Sequence, residues 1–281
     1  MLSSKKFRKL KTARRICAPL CSCIFTLAFL HVLQSSLSVR RWEQFLPQNN
    51  SEPDFCTSGD RTSLNWLRSV YSERFREAHV GCSSLLRVGP RGDGGKMVCL
   101  DRLPKHSCVT YSLGSRLDFS FELAVRELLG CEIYTFDCTV GNFSASDIPL
   151  GVSFYPWCVG GKEEKKIISS DFGRTGEYGQ YYPLDTIMTK LKHKKVDLLK
   201  MDIERHEVAV ISGLNPDYAP NQVVFETHLH NAYGIWNRPV RHDEWFDMWE
   251  KLRVLGYRIF SYEPNPQCPC CCEWSIGRTS S

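Results

Sequence analysis

The sequence predicts an α/β fold, a mostly parallel sheet covered by helices on both faces. Two observations carry that expectation. Short apolar runs recur along the chain, each stopping at a glycine, an acid or a turn, and stripes of apolar residues at helical spacing stand between them. With 281 residues, 42% of them hydrophobic, the chain has enough material for one sizeable domain with appendages.

Residues 1–15 form a basic tail, with Lys5, Lys6, Arg8, Lys9, Lys11, Arg14 and Arg15 and no acid among them. The formal net charge of +5 therefore resides there, and the rest of the chain sums to −2, which leaves no electrostatic footprint for nucleic acid. Ile16 to Leu33 carries no Lys, Arg, Asp or Glu and reaches the length of a membrane span. The tail keeps the N-terminus cytosolic, so 16–33 reads as a signal-anchor of a type II protein, with the remainder in the endoplasmic reticulum or Golgi lumen. A cleaved signal peptide, with Ser36 and Ser38 as small residues for processing, is the rival and would give a secreted protein. Asn49-Asn50-Ser51 and Asn142-Phe143-Ser144 are glycosylation sequons, and eleven of the 14 cysteines follow the apolar segment; both suit an oxidising compartment.

Residues 34–80 combine a stem rich in Ser, Pro and Asn with a leading helix, marked by Leu64, Leu67, Val70, Tyr71 and Phe75. The domain proper is expected over 81–281. Its glycine-rich stretch Val88 to Lys96 is a turn, not a P-loop, since no Ser or Thr follows the lysine; Arg91-Gly92-Asp93 within it reads as part of the same turn. Val109 to Leu113 is a first strand, ending at Gly114. Phe121, Ala124, Val125, Leu128 and Leu129 then mark one helix face. Further strands are expected at Glu132–Phe136, Val152–Val159, Val196–Met201, Gln222–Thr227, Tyr257–Tyr262 and Cys271–Ile276. Val208, Ile211 and Leu214 make a brief helix, and Trp245, Trp249, Leu252 and Leu255 another.

In such a sheet a ligand lies at the carboxyl ends of the strands. Gly114 after the first strand lets backbone approach a nucleotide-like ligand, and Asp137 after the second is placed to accept from ribose hydroxyls. Their spacing is that of a dinucleotide or adenosyl site.

The stretches CVTYSLGSRLDFSFELAVRELLGCEIYTFDC, VDLLKMDIERHEVAVISGL and QVVFETHLH together resemble the FkbM-like S-adenosylmethionine methyltransferases, and within them the methyltransferase-like protein 24 group. The resemblance implies a class I methyltransferase fold, Rossmann-like, with a seven-stranded sheet whose last strand is antiparallel. It also implies S-adenosyl-L-methionine as cofactor, with Gly114, Ser115 and Asp118 in the cofactor loop, Glu122 on the following helix and Asp137 at the ribose. Asp202 would face the methyl group as base or orienting group; strand parity, rather than the resemblance, adds His228 beside it as a catalytic candidate. The acceptor, by oxygen or nitrogen, is not named. In two places the chain departs from the family pattern: Leu117 and Arg205 stand where glycines are expected. Leu117 is then expected either to crowd the loop against the cofactor or to pack into the core, and Arg205 to sit on a backbone that has no need of positive φ. A non-catalytic member of the family is the alternative that these losses raise.

Glu204 and Glu207 fall in the first turn of a helix, where acids complement the dipole. Glu226, His228 and His230 share one strand parity beside Asp202 and offer a metal reading, although no third ligand is secured. A metal-dependent Golgi glycosyltransferase is a further reading, on Asp202-Ile203-Glu204 as an acid-x-acid clip. The tail Cys268, Cys270, Cys271 and Cys272 cannot easily close a zinc tetrahedron from adjacent positions, so disulfides to Cys108, Cys131 or Cys158 are expected instead.

Overall fold

The computed structural model describes residues 81–168, 174, 176–228, 242–265 and 271–279. The basic tail, the apolar segment 16–33, the stem, the leading helix, His230, Cys268 and Cys270 lie outside them. Among the described residues no helix is long and apolar enough to cross a membrane.

In chain order the strands are β1 (Leu85–Val88), β2 (Lys96–Cys99), β3 (Val109–Leu113), β4 (Glu132–Phe136), β5 (Val152–Tyr155), β6 (Cys158–Val159), β7 (Glu164–Ile167), β8 (Tyr178–Tyr182), β9 (Leu198–Met201), β10 (Gln222–His228), β11 (Tyr257–Pro264) and β12 (Cys271–Arg278). The α-helices are α1 (Ser120–Leu129), α2 (Leu184–Leu191), α3 (His206–Ser212) and α4 (His242–Val254). Seven strands form the central sheet in the order β11-β12-β10-β9-β3-β4-β5. β3, β4, β5, β9 and β10 run parallel, and β12 inserts antiparallel between β10 and β11. This is the class I methyltransferase arrangement that the resemblance implied.

Period-two alternation feeds two cores. Leu199, Val223 and Phe225 face one cluster with Tyr111, Met201 and the tryptophans 245, 249 and 274; Leu198 and Val224 face the other with Phe121, Val125, Leu129 and Ile133. The strands at 109–113 and 132–136 have the predicted bounds. The run Val152–Val159 does not form one strand. β5 stops at Tyr155, and after Pro156, which has no N–H for a ladder, Cys158–Val159 joins a separate sheet of order β6-β8-β7. That small sheet carries no strong periodicity; α2 does, with Leu184, Ile187, Met188 and Leu191 at helical spacing, and is a further element absent from the sequence expectations.

The glycine-rich turn joins β1 to β2, an antiparallel pair. The pair is tied to the main sheet through Gln222: its Oε1 accepts from Cys99 N at 2.8 Å and its Nε2 donates to Cys99 O at 3.1 Å. Three disulfides link Cys82–Cys99, Cys108–Cys131 and Cys138–Cys158, and Cys271 is also disulfide-bonded. The expected bonds from the cysteine tail to Cys108, Cys131 or Cys158 do not form, because the first two bond each other and the third bonds Cys138. Cys108 and Cys131, for instance, begin adjacent parallel strands with Cα atoms 4.6 Å apart.

Candidate functional site

Register builds the site. Leu113 pairs with Phe136 and with Met201, and Met201 with Phe225. One residue beyond this row lie Gly114, Asp137, Asp202 and Glu226, side by side at the carboxyl edge of four parallel strands. They line a cleft of about 450 Å³ together with Ser115, Asp118, Glu122, Trp157, Lys200, Glu204 and His228.

On the β3–β4 side, Gly114 has φ +78°, and a Cβ there would meet the Asp202 carbonyl oxygen at 1.9 Å. The glycine is thus required by the approach of two strand tips, a reason different from cofactor access. Asp137 is buried and accepts four hydrogen bonds. Oδ2 takes Ser115 N at 3.0 Å and Arg116 N at 2.8 Å, while Oδ1 takes Thr139 N at 2.9 Å and its hydroxyl at 2.6 Å. It knots the loop after β3, and another hydroxyl reaches Oδ1 only in place of Thr139's. Asp118 accepts from Ser120 N at 2.9 Å, at the start of α1. Glu122 is buried on α1; Oε1 accepts from the Ser112 hydroxyl, and Oε2 has no hydrogen-bond partner.

Leu117 has φ +64° and packs against the core that holds Phe121 and Val125. It is absent from the cleft lining, so the expected crowding of the cofactor does not occur. Arg205 has φ +77° and Glu204 φ +50°. The expectation that Arg205 needs no positive φ is corrected: the chain keeps a glycine-like backbone at both departures without the glycines, at a cost of about 1–3 kcal/mol each. The turn from β9 into α3 requires it, closed by the Glu207 carboxylate accepting from Ile203 N at 2.7 Å.

On the β9–β10 side the chemistry is ionic. Lys96, the lysine of the glycine-rich turn, is 1% exposed, and its Nζ bonds Asp202 Oδ2 at 3.0 Å and Glu273 Oε1 at 2.6 Å. Burial opposes its charge, but Asp202, Glu273 and Glu226 raise its pKa above the ordinary lysine range. Burial likewise opposes the Asp202 anion, yet Lys96 above all, with Lys200 and His228, holds its carboxyl below the usual range. Asp202 is therefore a weak base, suited to orienting. Glu226 differs: burial and then Asp202 push its pKa up. Glu273, its cross-strand partner, is pushed up to about 8 by burial, with Glu226 and Asp202 outweighing part of the help from Lys96. His228 stands among Glu204, Glu207 and Glu226 at 3.5–3.7 Å. Burial lowers its proton affinity, but Glu207, Glu204 and Asp202 prevail and push its pKa up to about 10.

The structure thus brings Gly114, Ser115, Asp118, Glu122, Asp137, Asp202 and His228 to one cleft, as the sequence reading grouped them. It adds Lys96 and Glu273, which that reading missed. A lysine with no P-loop serine carried no recognisable signal, and Glu273 sits in the cysteine-rich tail; only the pairing of β12 with β10 brings it near. The Asp93 carboxylate of the Arg-Gly-Asp turn lies within 4.8 Å of ligand atoms of Asp202 and Glu226.

A methyltransferase domain family model matches residues 37–276. The chain belongs to that family. It is 23% identical over 216 residues to the human "Probable methyltransferase-like protein 24", covering 72% of this chain and 57% of the relative; the rat protein of the same description matches at 23% over 223 residues, covering 72% and 59%. The chain thus spans under three-fifths of the length of these relatives. Among solved structures it is similar to the FkbM methyltransferase of Methylobacillus flagellatus KT (TM-score 0.41, 14% identity, 75% of this chain and 52% of that one). It is also similar to the magnesium protoporphyrin IX methyltransferase of Synechocystis PCC 6803 (TM-score 0.36, 12% identity, 87% and 95%).

S-adenosyl-L-methionine is the methyl donor of a methyltransferase domain, and the cleft fits it. The unpartnered Glu122 Oε2, buried at the wall, suits the ammonium of its methionine part.

Proposed function

We propose that the domain transfers a methyl group from S-adenosyl-L-methionine to an oxygen or nitrogen of an acceptor. The observation that carries this is Glu226, a buried carboxylate of raised proton affinity facing the cleft beside Asp202. Methylating a hydroxyl or amine forms a C–O or C–N bond, breaks the donor's C–S bond with the electron pair left on sulfur, and frees one proton from the acceptor. A carboxylate tuned upward is suited to take that proton. Asp202, ionised against Lys96, orients the acceptor and favours the cationic donor. Gly114, Ser115 and Asp118 form the loop under the cofactor. Asp137 holds that loop and meets the ribose where Thr139 now bonds.

The setting we propose is luminal, behind a membrane anchor at 16–33. The sequon residue Asn142 is exposed, and three disulfides suit an oxidising compartment.

Isothermal titration of the full chain with S-adenosyl-L-methionine tests the reading. Binding is expected, and Glu122→Gln, which keeps an acceptor for Ser112 but removes the charge, should weaken it about tenfold. No heat of binding in the wild-type chain would end the enzyme reading and leave the non-catalytic one.

A further inference from the structure

The acidic side of the cleft has the donor set of a metal site as well as that of a base. Asp202 and Glu204 come from the turn after β9, and His228 ends the neighbouring strand β10. Each offers a ligand atom within 4.8 Å of the other two. The His228 Nε2 to Glu204 Oε2 distance is 3.5 Å. Ligand atoms about 2.0–2.2 Å from one ion lie roughly 3–4.4 Å apart, so closing on an ion needs little movement.

A second observation points the same way. The His228 side chain is nine-tenths buried, yet no contact of its ring nitrogens is of hydrogen-bond length: Nδ1 faces the Glu207 carboxylate at 3.7 Å, and Nε2 the Glu204 and Glu226 carboxylates at 3.5 and 3.7 Å. A histidine kept for structure at a strand end would be hydrogen-bonded. Lys96 occupies Oδ2 of Asp202 and leaves Oδ1 for another cation.

We propose that Asp202, Glu204 and His228 hold a divalent metal ion of the Mn²⁺ kind, whose remaining positions open into the cleft and take a hydroxyl oxygen of the acceptor. Two carboxylates and an imidazole suit such a borderline-hard ion, and a trio on one side leaves coordination positions free. Glu226 stays outside the trio, within reach to accept a proton. This narrows the acceptor to an oxygen compound. The ion site stands on its own residues, whereas its use in catalysis rests on the methyl-transfer reading above.

The test is a Mn²⁺ titration of the purified full chain, followed by the paramagnetic resonance signal of the free ion, with S-adenosyl-L-methionine calorimetry on the same samples. One ion per chain is expected. His228→Ala and Glu204→Gln should each weaken it about tenfold or more, Glu204→Gln with the thermal midpoint held. Should His228→Ala lose its cooperative transition, Glu204→Gln, at a side chain one-quarter exposed, decides the matter. Failure of the wild type to take up Mn²⁺ at millimolar concentration, or uptake indifferent to both substitutions, overturns the site. Donor binding without Mn²⁺ uptake removes the ion and spares methyl transfer; uptake without donor binding supports the ion and removes methyl transfer.

Discussion

Two aspartates stand at the opposite ends of β9, and their surroundings make them opposites. Asp197, at the N-terminal edge of the sheet, is fully buried. Its Oδ2 accepts from Val109 N at 2.9 Å, and its Oδ1 from Asn221 Nδ2 and Lys195 Nζ, each at 3.1 Å. Its own backbone also bonds Val109 and Gln222, so one residue laces the starts of β3, β9 and β10. Asp202, at the other edge, shares the Lys96 ammonium with Glu273 and lies beside the raised carboxyl of Glu226. Where donors match a buried acid, it becomes structure; where acids outnumber nearby donors, proton affinities spread apart and a site results.

That contrast can be broken at four places. The largest effect is expected at the structural end: Asp197→Ala leaves the Val109 amide and the Asn221 and Lys195 donors without their acceptor. It should cost about 2–4 kcal/mol in urea unfolding, with donor affinity of the folded protein unchanged. A loss well under 1 kcal/mol would erase the difference between the two aspartates.

At the functional edge the sign should reverse. Glu226→Gln keeps an acceptor for Asn265 Nδ2 and removes a buried charge from an acid-rich group. A gain of about 0.5–2 kcal/mol is expected together with loss of methyl transfer, the usual trade at a strained site. Lower stability in a thermal melt would show that Glu226 is as well matched as Asp197.

The N-terminal edge has slack of its own. Lys192 caps α2 in the left-handed conformation, φ +61°, with its backbone N–H bonding Met188 and Thr189 carbonyls and its side chain exposed. Lys192→Gly should relieve that backbone and raise stability by up to about 1 kcal/mol, read as a shift of the denaturation midpoint.

The smallest effect concerns pH. Burial holds the His193 pKa below its usual value, with Glu132 opposing, and its Nδ1 lies 2.6 Å from the Tyr111 hydroxyl. The unfolded chain therefore binds this proton more readily than the folded one. The contribution is complete above the unfolded value of about 6.5 and is lost as the pH falls below it. His193→Gln should flatten the acid side of the stability profile there, and an identical slope in both proteins would place the acid sensitivity elsewhere.

Much of this was legible in the chain. Val109–Leu113, Glu132–Phe136 and Gln222 onward announce themselves as strands because an interior parallel strand must be apolar on both faces, and such runs have few other uses. The residue after each run was legible for the same reason, which is how Gly114, Asp137 and Asp202 emerged together. The small sheet of β6, β7 and β8 was not legible, since Glu164–Ile167 and Tyr178–Tyr182 are half-exposed and carry no marked pattern.

By itself, then, the sequence determined the strand tips and the family, because periodicity and local spacing are properties of neighbours along the chain. Only the tertiary structure decided what the tips do. Lys96 reaches Asp202 across 106 positions and Glu273 across 177. Whether a carboxylate is a knot, an orienting anion or a proton acceptor depends on the charges and donors within a few ångströms of it. Those are supplied by the docking of the β1–β2 pair and by β12 inserting between β10 and β11, contacts that spacing along the chain does not encode.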